Sequence, residues 1–151
     1  MRFEERNKAA AFLVLRAFLV QFWFLQFLGK IRDSESGIIA VRNLEIWSRH
    51  TTDWFVKGTP LPELIARPYT LAVPWVELAI SALLLIGWQT RRTLLAAAWL
   101  LVSLDVGMML QGKHDVVGIN SIHLLTVLLA LFLQPFARWT LDSRLAARKS
   151  S

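Results

Sequence analysis

Three apolar segments follow one another in the second half of the chain, at about residues 69–88, 93–110 and 116–134. Each holds roughly the twenty residues that a helix rising about 1.5 Å per residue needs to cross a hydrocarbon core of about 30 Å. The turns between them are only a few residues long, and such turns join antiparallel helices. The pattern therefore predicts three consecutive membrane-spanning helices.

A fourth apolar segment lies near the start of the chain, at about residues 9–30. No small-residue cleavage site follows it, as a secretory signal peptide would require. We therefore predict that it is a retained helix of the mature protein. The expected fold class is all-α, an integral-membrane four-helix bundle that forms a single domain over residues 1–151.

The composition agrees with a lipid-facing bundle and excludes several kinds of site. Of the 151 residues, 55% are hydrophobic, and they stand in blocks rather than at helical period. The formal net charge is +6, but the basic residues flank the apolar blocks and form no run beside aromatic side chains, so we expect no nucleic-acid partner. Because the chain has no cysteine, disulfides and thiolate metal sites are excluded.

The only long connection, residues 31–68, separates the first two predicted spanning helices, and its acidic and basic residues balance. Within it, residues 36–48 interleave apolar and charged side chains. This stretch is too short to span a membrane and long enough for a helix that lies on the membrane surface. We therefore expect a long non-cytoplasmic loop that contains one short interfacial helix.

The basic residues also predict the orientation of the bundle. With four crossings, both termini share one side of the membrane with the turn that contains Arg91 and Arg92. The other basic residues on that side are Arg2, Arg6, Lys8, Arg138, Arg144, Arg148 and Lys149. Since short basic flanks accumulate on the cytoplasmic side of multi-pass proteins, we predict that both termini are cytoplasmic.

Polar side chains inside the spanning segments form the candidate site. Counting from the basic ends places Glu77 and Asp105 at a depth of roughly 16 to 20 Å. Asn120 and His123, three residues apart, share one face at the start of the last helix. The full set of candidate ligand-binding residues is Arg16, Gln26, Lys30, Glu77, Asp105, Asn120 and His123. Because an unpaired charge at membrane depth costs a few kcal/mol, we predict that these residues face the bundle interior and line one polar pocket on the non-cytoplasmic side.

The residue types leave several chemistries open. Glu77, Asp105 and His123 can bind a metal ion, relay protons or hydrogen-bond the carbonyl oxygens of a quinone-like ligand. The structural alternative is that the two carboxyl groups are protonated or paired with Lys30 or Arg16. In that case the amide and the imidazole join helices by hydrogen bonds.

Short motifs are distributed over nearly the whole chain. An arginine in the first helix is followed by Gly29-Lys30 at its end, and Pro74-Trp75-Val76-Glu77 opens the second helix. Leu85-Ile86-Gly87-Trp88-Gln89-Thr90-Arg91 closes that helix, and Leu141-Asp142 follows the last one. These features resemble the DoxX-like family. The resemblance implies a small four-helix protein of the bacterial inner membrane, and some members of the family are linked to redox complexes such as thiosulfate:quinone oxidoreductase.

The residues and the resemblance together support three functional hypotheses. The leading one is an accessory or quinone-binding subunit of a redox-linked membrane complex. The second is a carrier for a small solute or proton that acts as a homo-oligomer, with Arg16 and Glu77 as alternating partners. The third is an intramembrane enzyme whose metal ion is held by Glu77, Asp105 and His123. Whether the protein is an enzyme stays open, and a non-catalytic subunit is favoured.

Overall fold

The computed structural model describes residues 3–33, 36–143 and 145, and within them it is built from helices. The five α-helices are α1 (Phe3–Ile31), α2 (Asn43–Gly58), α3 (Glu63–Ile86), α4 (Thr90–Leu110) and α5 (His114–Leu133). A short 3-10 helix, Gln134–Phe136, follows α5. In the described residues, α1, α3, α4 and the segment that begins with α5 are long and apolar enough to cross a membrane. The chain is therefore a multi-pass membrane protein, as the apolar segments predict.

The four long helices form a ring in which α1 and α4 each contact α3 and α5. The side chains that fill the centre are at most 1% exposed and come from all four helices: Leu19, Leu84, Leu94, Leu101 and Val127. On the outside, large apolar side chains such as Trp99 and Phe132 are more than 70% exposed. A bundle with an apolar core and an apolar surface suits a hydrocarbon solvent, in which helices satisfy their own backbone groups.

The predicted long loop at residues 31–68 is not found, because most of this segment is helical. The expected helix at 36–48 lies further along the chain, as α2 (Asn43–Gly58). The described residues between α1 and α2 form a turn, in which the backbone N–H of Ser36 donates to Asp33 Oδ1 at 2.7 Å. The Nδ2 group of Asn43 then donates to the backbone oxygens of Ile31 and Ile38 at 2.9 and 3.1 Å. These bonds satisfy the carbonyl at the end of α1 and delay the start of α2.

Helix α3 begins at Glu63, earlier than the predicted start at residue 69. Pro62, with φ −70° and ψ 146°, precedes its first turn. Pro68 and Pro74 therefore lie inside the helix, Pro68 in its second turn and Pro74 near its middle. Interior prolines are tolerated in membrane helices because neighbouring helices and hydroxyl side chains re-satisfy the freed backbone groups.

At the side of the bundle opposite α2, the segment after α5 contacts α1 and the start of α4. Arg16 donates to the backbone oxygen of Trp139 at 2.8 Å, and Asp142 accepts from the backbone N–H groups of Gln89 and Thr90 at 2.9 and 2.8 Å. The segment after α5 therefore caps the N-terminal end of α4 through Asp142. Of the basic residues used to predict the orientation, Arg2, Arg144, Arg148 and Lys149 lie outside the described residues.

Candidate functional site

A cavity of about 580 Å³ lies inside the bundle near the end that carries α2. Four of the candidate residues line it, namely Gln26, Lys30, Glu77 and Asn120. Aromatic rings form much of the remaining wall: Phe22, Trp23, Trp47, Phe55 and Tyr69. A mostly apolar cavity with a few convergent polar groups is the usual form of a small-molecule site.

The central polar feature of this cavity is an ion pair between α1 and α3. The Nζ atom of Lys30 lies 2.7 and 2.6 Å from the two carboxylate oxygens of Glu77. The Lys30 side chain is 12% exposed and the Glu77 side chain is 2% exposed. The same ammonium group lies 5.2 Å from the centre of the Trp47 ring, which is a cation–π distance. The pair thus satisfies two charges that neither helix could hold alone at this depth.

Tyr69 and Trp23, two aromatic residues of the cavity wall, each carry a hydrogen-bond donor. The hydroxyl groups of Tyr69 and Ser103 are hydrogen-bonded at 2.8 Å, which links α3 to α4. The indole ring of Trp23 is buried, and its Nε1–H has no hydrogen-bond partner among the described residues. A buried donor without an acceptor costs about 1–3 kcal/mol. A ligand with an acceptor oxygen could remove that cost if it reached the indole.

Asp105 and Asn120 are brought together, but only one of them lines the cavity. The Nδ2 group of Asn120 donates to Asp105 Oδ1 at 2.8 Å and joins α5 to α4. Asn120 belongs to the cavity wall, whereas Asp105 stands behind it. The carboxylate of Asp105 therefore orients the amide of Asn120 and is one layer removed from a ligand in the cavity.

His123 and Arg16 lie outside the cavity. The His123 ring stacks on Phe22 with a centroid distance of 4.0 Å, and its Nδ1 lies 3.0 Å from the backbone oxygen of Ile119. His123 thus supports a wall residue. Arg16 is fourteen residues before Lys30, which is about 21 Å along a helix, and it bonds to Trp139 at the opposite end of the bundle. The proposed alternation between Arg16 and Glu77 gains no support from these positions.

The metal hypothesis also lacks geometric support. Within residues 3–33, 36–143 and 145, no three histidine, aspartate or glutamate side chains are grouped so that they could hold a metal ion. Glu77 is engaged by Lys30, and Asp105 by Asn120. The polar residues are therefore assembled as two pairs rather than as one ligand set.

Helix α2 supplies site residues that were not among the candidates. Trp47, Thr51 and Phe55 recur at intervals of four and face the cavity. That spacing is the stripe expected of a helix that buries one face, so the helical period of this segment was the available signal. The stripe was obscured because the expected helix at 36–48 ends one residue after Trp47.

Buried hydroxyl groups hold α2 in place over the cavity. The Thr70 hydroxyl on α3 is hydrogen-bonded to those of Ser48 and Thr52 at 2.8 and 2.7 Å. At the far end of α2, Gln111 Nε2 donates to the backbone oxygen of Trp54 at 3.0 Å. Helix α2 is thereby attached to both α3 and the end of α4.

The residues predicted to line one pocket thus lie in three different places. Gln26, Lys30, Glu77 and Asn120 share one cavity, Asp105 and His123 stand behind its wall, and Arg16 belongs to the other end of the bundle. Comparisons of the chain with protein-family models, with curated proteins and with solved structures found no match.

Proposed function

We propose that this membrane protein binds a small amphiphilic molecule of the quinone type in the cavity beneath α2. The observation that carries the proposal is the Lys30–Glu77 ion pair, whose atoms lie 2.6 Å apart in the wall of an aromatic cavity. Charged groups are costly at membrane depth, and where they occur inside a bundle they often mark a functional site.

The side chains around the ion pair match the oxygen atoms and the flat ring of such a ligand. The ammonium group of Lys30 can donate to a carbonyl oxygen of a quinone, and the Glu77 carboxylate can accept from a hydroxyl group of its reduced form. The rings of Trp47 and Tyr69 offer surfaces for a flat head group. A volume of about 580 Å³ lies within the range of about 300–1,000 Å³ that is usual for small-molecule sites.

The remaining parts of the proposal rest on the resemblance to DoxX-like proteins and on the charge pattern. We place the chain in that family, in a bacterial inner membrane with both termini in the cytoplasm. It acts there as an accessory subunit of a redox-linked complex. One arrangement of this subunit is a homo-oligomer. Because the chain has no cysteine, electrons must pass through the bound ligand or a partner.

A binding titration tests the proposal. The purified protein in detergent micelles is titrated with a short-chain ubiquinone, and saturable quenching of tryptophan fluorescence is measured. In Glu77→Gln, Lys30 loses its charged partner, so we expect affinity to fall by about tenfold or more. Glu63→Gln is the matched control, because Glu63 lies in the first turn of the same helix, outside the cavity.

A second pair of variants keeps the test decisive if Glu77→Gln folds poorly. Thr51→Trp places a large ring in the cavity wall and leaves the ion pair intact, so saturable quenching should disappear. His50→Trp adds one tryptophan at the neighbouring exposed position and should bind as the wild type does. The proposal is refuted if the wild type shows no saturable quenching, or if Thr51→Trp and His50→Trp give the same affinity.

A further inference from the structure

A second recess lies on the outside of the bundle, between α2 and the start of α3, and it is separate from the ligand cavity. Its volume is about 350 Å³. Three arginines line it, Arg42, Arg49 and Arg67, together with the single carboxylate of Glu45. The recess therefore carries a net positive charge.

Two of the three guanidinium groups are available to a ligand. Arg49 is paired with Glu45 at 2.6 Å. Arg42 and Arg67 are exposed, and their guanidinium groups form no hydrogen bond or ion pair with the described residues. Asp53 and Glu63 border a neighbouring hollow that shares Arg49 and Arg67, and no ion pair within 4 Å joins either acid to these arginines in the described part of the chain.

The opposite part of the recess is apolar and leads along α3. Leu71 and Trp75 follow Arg67 at intervals of four residues, so the three side chains form one stripe of the helix. Leu71 is 41% exposed and Trp75 is 50% exposed. Trp75 lies about 12 Å further along the helix than Arg67. Because Arg67 is in the second turn of a spanning helix, the stripe runs from head-group level into the hydrocarbon region.

We propose that this recess binds one anionic phospholipid, which has a phosphate head and an apolar tail in the same molecule. The guanidinium groups of Arg42 and Arg67 hold the phosphate, for which planar, multiply donating arginine is well suited. An acyl chain then lies along Leu71 and Trp75. The charge of the recess selects an anionic head group, and the apolar stripe selects a lipid over a free phosphate ion.

The lipid also connects two helices that hold the ligand cavity. Arg42 precedes the first residue of α2, and Arg67 belongs to α3. A phosphate bound between them joins the two helices at the membrane surface, beside the Ser48–Thr70 hydrogen bond inside. The lipid site stands independently of the proposed quinone site, since the two share no lining residue.

Native mass spectrometry of the detergent-purified protein measures the retained lipid directly. We expect the wild type to retain phosphatidylglycerol in preference to phosphatidylcholine. The double variant R42Q/R67Q should bind phosphatidylglycerol about 25-fold more weakly, since each arginine near an anionic head group contributes roughly fivefold. Both side chains are exposed, so unfolding temperatures of variant and wild type should agree.

The control variant R91Q/R92Q removes two exposed arginines from the α3–α4 turn at the other end of the bundle. It should retain phosphatidylglycerol as the wild type does. The lipid assignment is overturned if R42Q/R67Q retains the lipid unchanged, or if the wild type does not distinguish the two head groups. Displacement of the lipid by millimolar inorganic phosphate would also overturn it, because the recess would then recognise the phosphate alone.

Discussion

The Lys30–Glu77 pair allows a quantitative test of how this bundle carries charge in its interior. Replacing Lys30 by Met leaves the Glu77 carboxylate, which is 2% exposed, without its partner. Replacing Glu77 by Leu leaves the ammonium group in the same position. The double variant Lys30→Met/Glu77→Leu removes both charges and fills the space with apolar side chains of similar size.

The burial of the pair sets the expected magnitudes. Removing one member of a buried ion pair costs about 3–5 kcal/mol, because the other charge stays buried. Replacing both members by apolar groups is close to neutral. We therefore expect each single variant to lose about 3 kcal/mol or more of unfolding free energy and the double variant to stay within about 1 kcal/mol of the wild type. The coupling energy between the two positions is then at least about 5 kcal/mol, the sum of the two single losses less the change in the double variant.

The assay is reversible unfolding in mixed micelles of increasing sodium dodecyl sulfate content, followed by circular dichroism. The matched control is the Arg49–Glu45 pair, which has the same N–O distance of 2.6 Å but side chains that are 67% and 63% exposed. Exposed pairs of this spacing contribute about 0.3–0.5 kcal/mol. The Arg49→Met/Glu45→Leu cycle should therefore give a small coupling energy.

A low coupling energy would refute the reasoning. If the Lys30–Glu77 cycle gives less than about 1 kcal/mol, similar to the control cycle, the pair is solvated in the membrane-embedded protein. If the double variant is as unstable as either single variant, the loss comes from altered packing rather than from an uncompensated charge.

Two further predictions concern the contacts that the segment after α5 makes with the α3–α4 turn. Gly87 and Gly112 both have positive φ, 68° and 69°, but a Cβ atom on Gly87 would lie 2.7 Å from Cβ of Thr140, while one on Gly112 meets no atom within 4 Å. Chemical denaturation in micelles should therefore show that Gly112→Ala lowers the unfolding free energy by about 1–2 kcal/mol, from backbone strain alone. Gly87→Ala should lower it by at least about 1 kcal/mol more, because the new Cβ also meets Thr140. Equal losses in the two variants would contradict the contact with Thr140. The carboxylate of Asp142 accepts from two backbone N–H groups at the start of α4. Asp142→Ala should therefore lower the unfolding free energy by about 2 kcal/mol. The same denaturation measurement on Asp142→Asn should give a smaller loss, since one amide oxygen can still accept.

The number and approximate position of the spanning helices could be predicted from the sequence. The four apolar segments near 9–30, 69–88, 93–110 and 116–134 all lie within or overlap the helices of the structure. A hydrocarbon core admits only segments of matching length that satisfy their own backbone, so hydropathy and segment length are sufficient signals. The position of α2 was not predictable in this way, because its start depends on the turn that Asp33 and Asn43 build after α1.

The candidate site was predictable as a set of polar residues but not as an arrangement. Glu77 and Lys30 were both singled out, and their pairing with each other was one of several alternatives. Asp105 was predicted at the same depth as Glu77 and His123 in the same pocket, yet both stand behind the cavity wall. Depth follows from counting residues along one helix, whereas the direction in which a side chain points also depends on how that helix is rotated against its neighbours.

The chain by itself thus determines which residues lie in the membrane, because the thickness and low polarity of the bilayer act on each segment separately. Only the tertiary structure decides which polar groups meet: Lys30 with Glu77 across 47 positions of sequence and Arg16 with Trp139 across 123. The physical reason is that periodicity defines the faces of one helix, while the rotation and register between helices depend on the packing of all their faces at once.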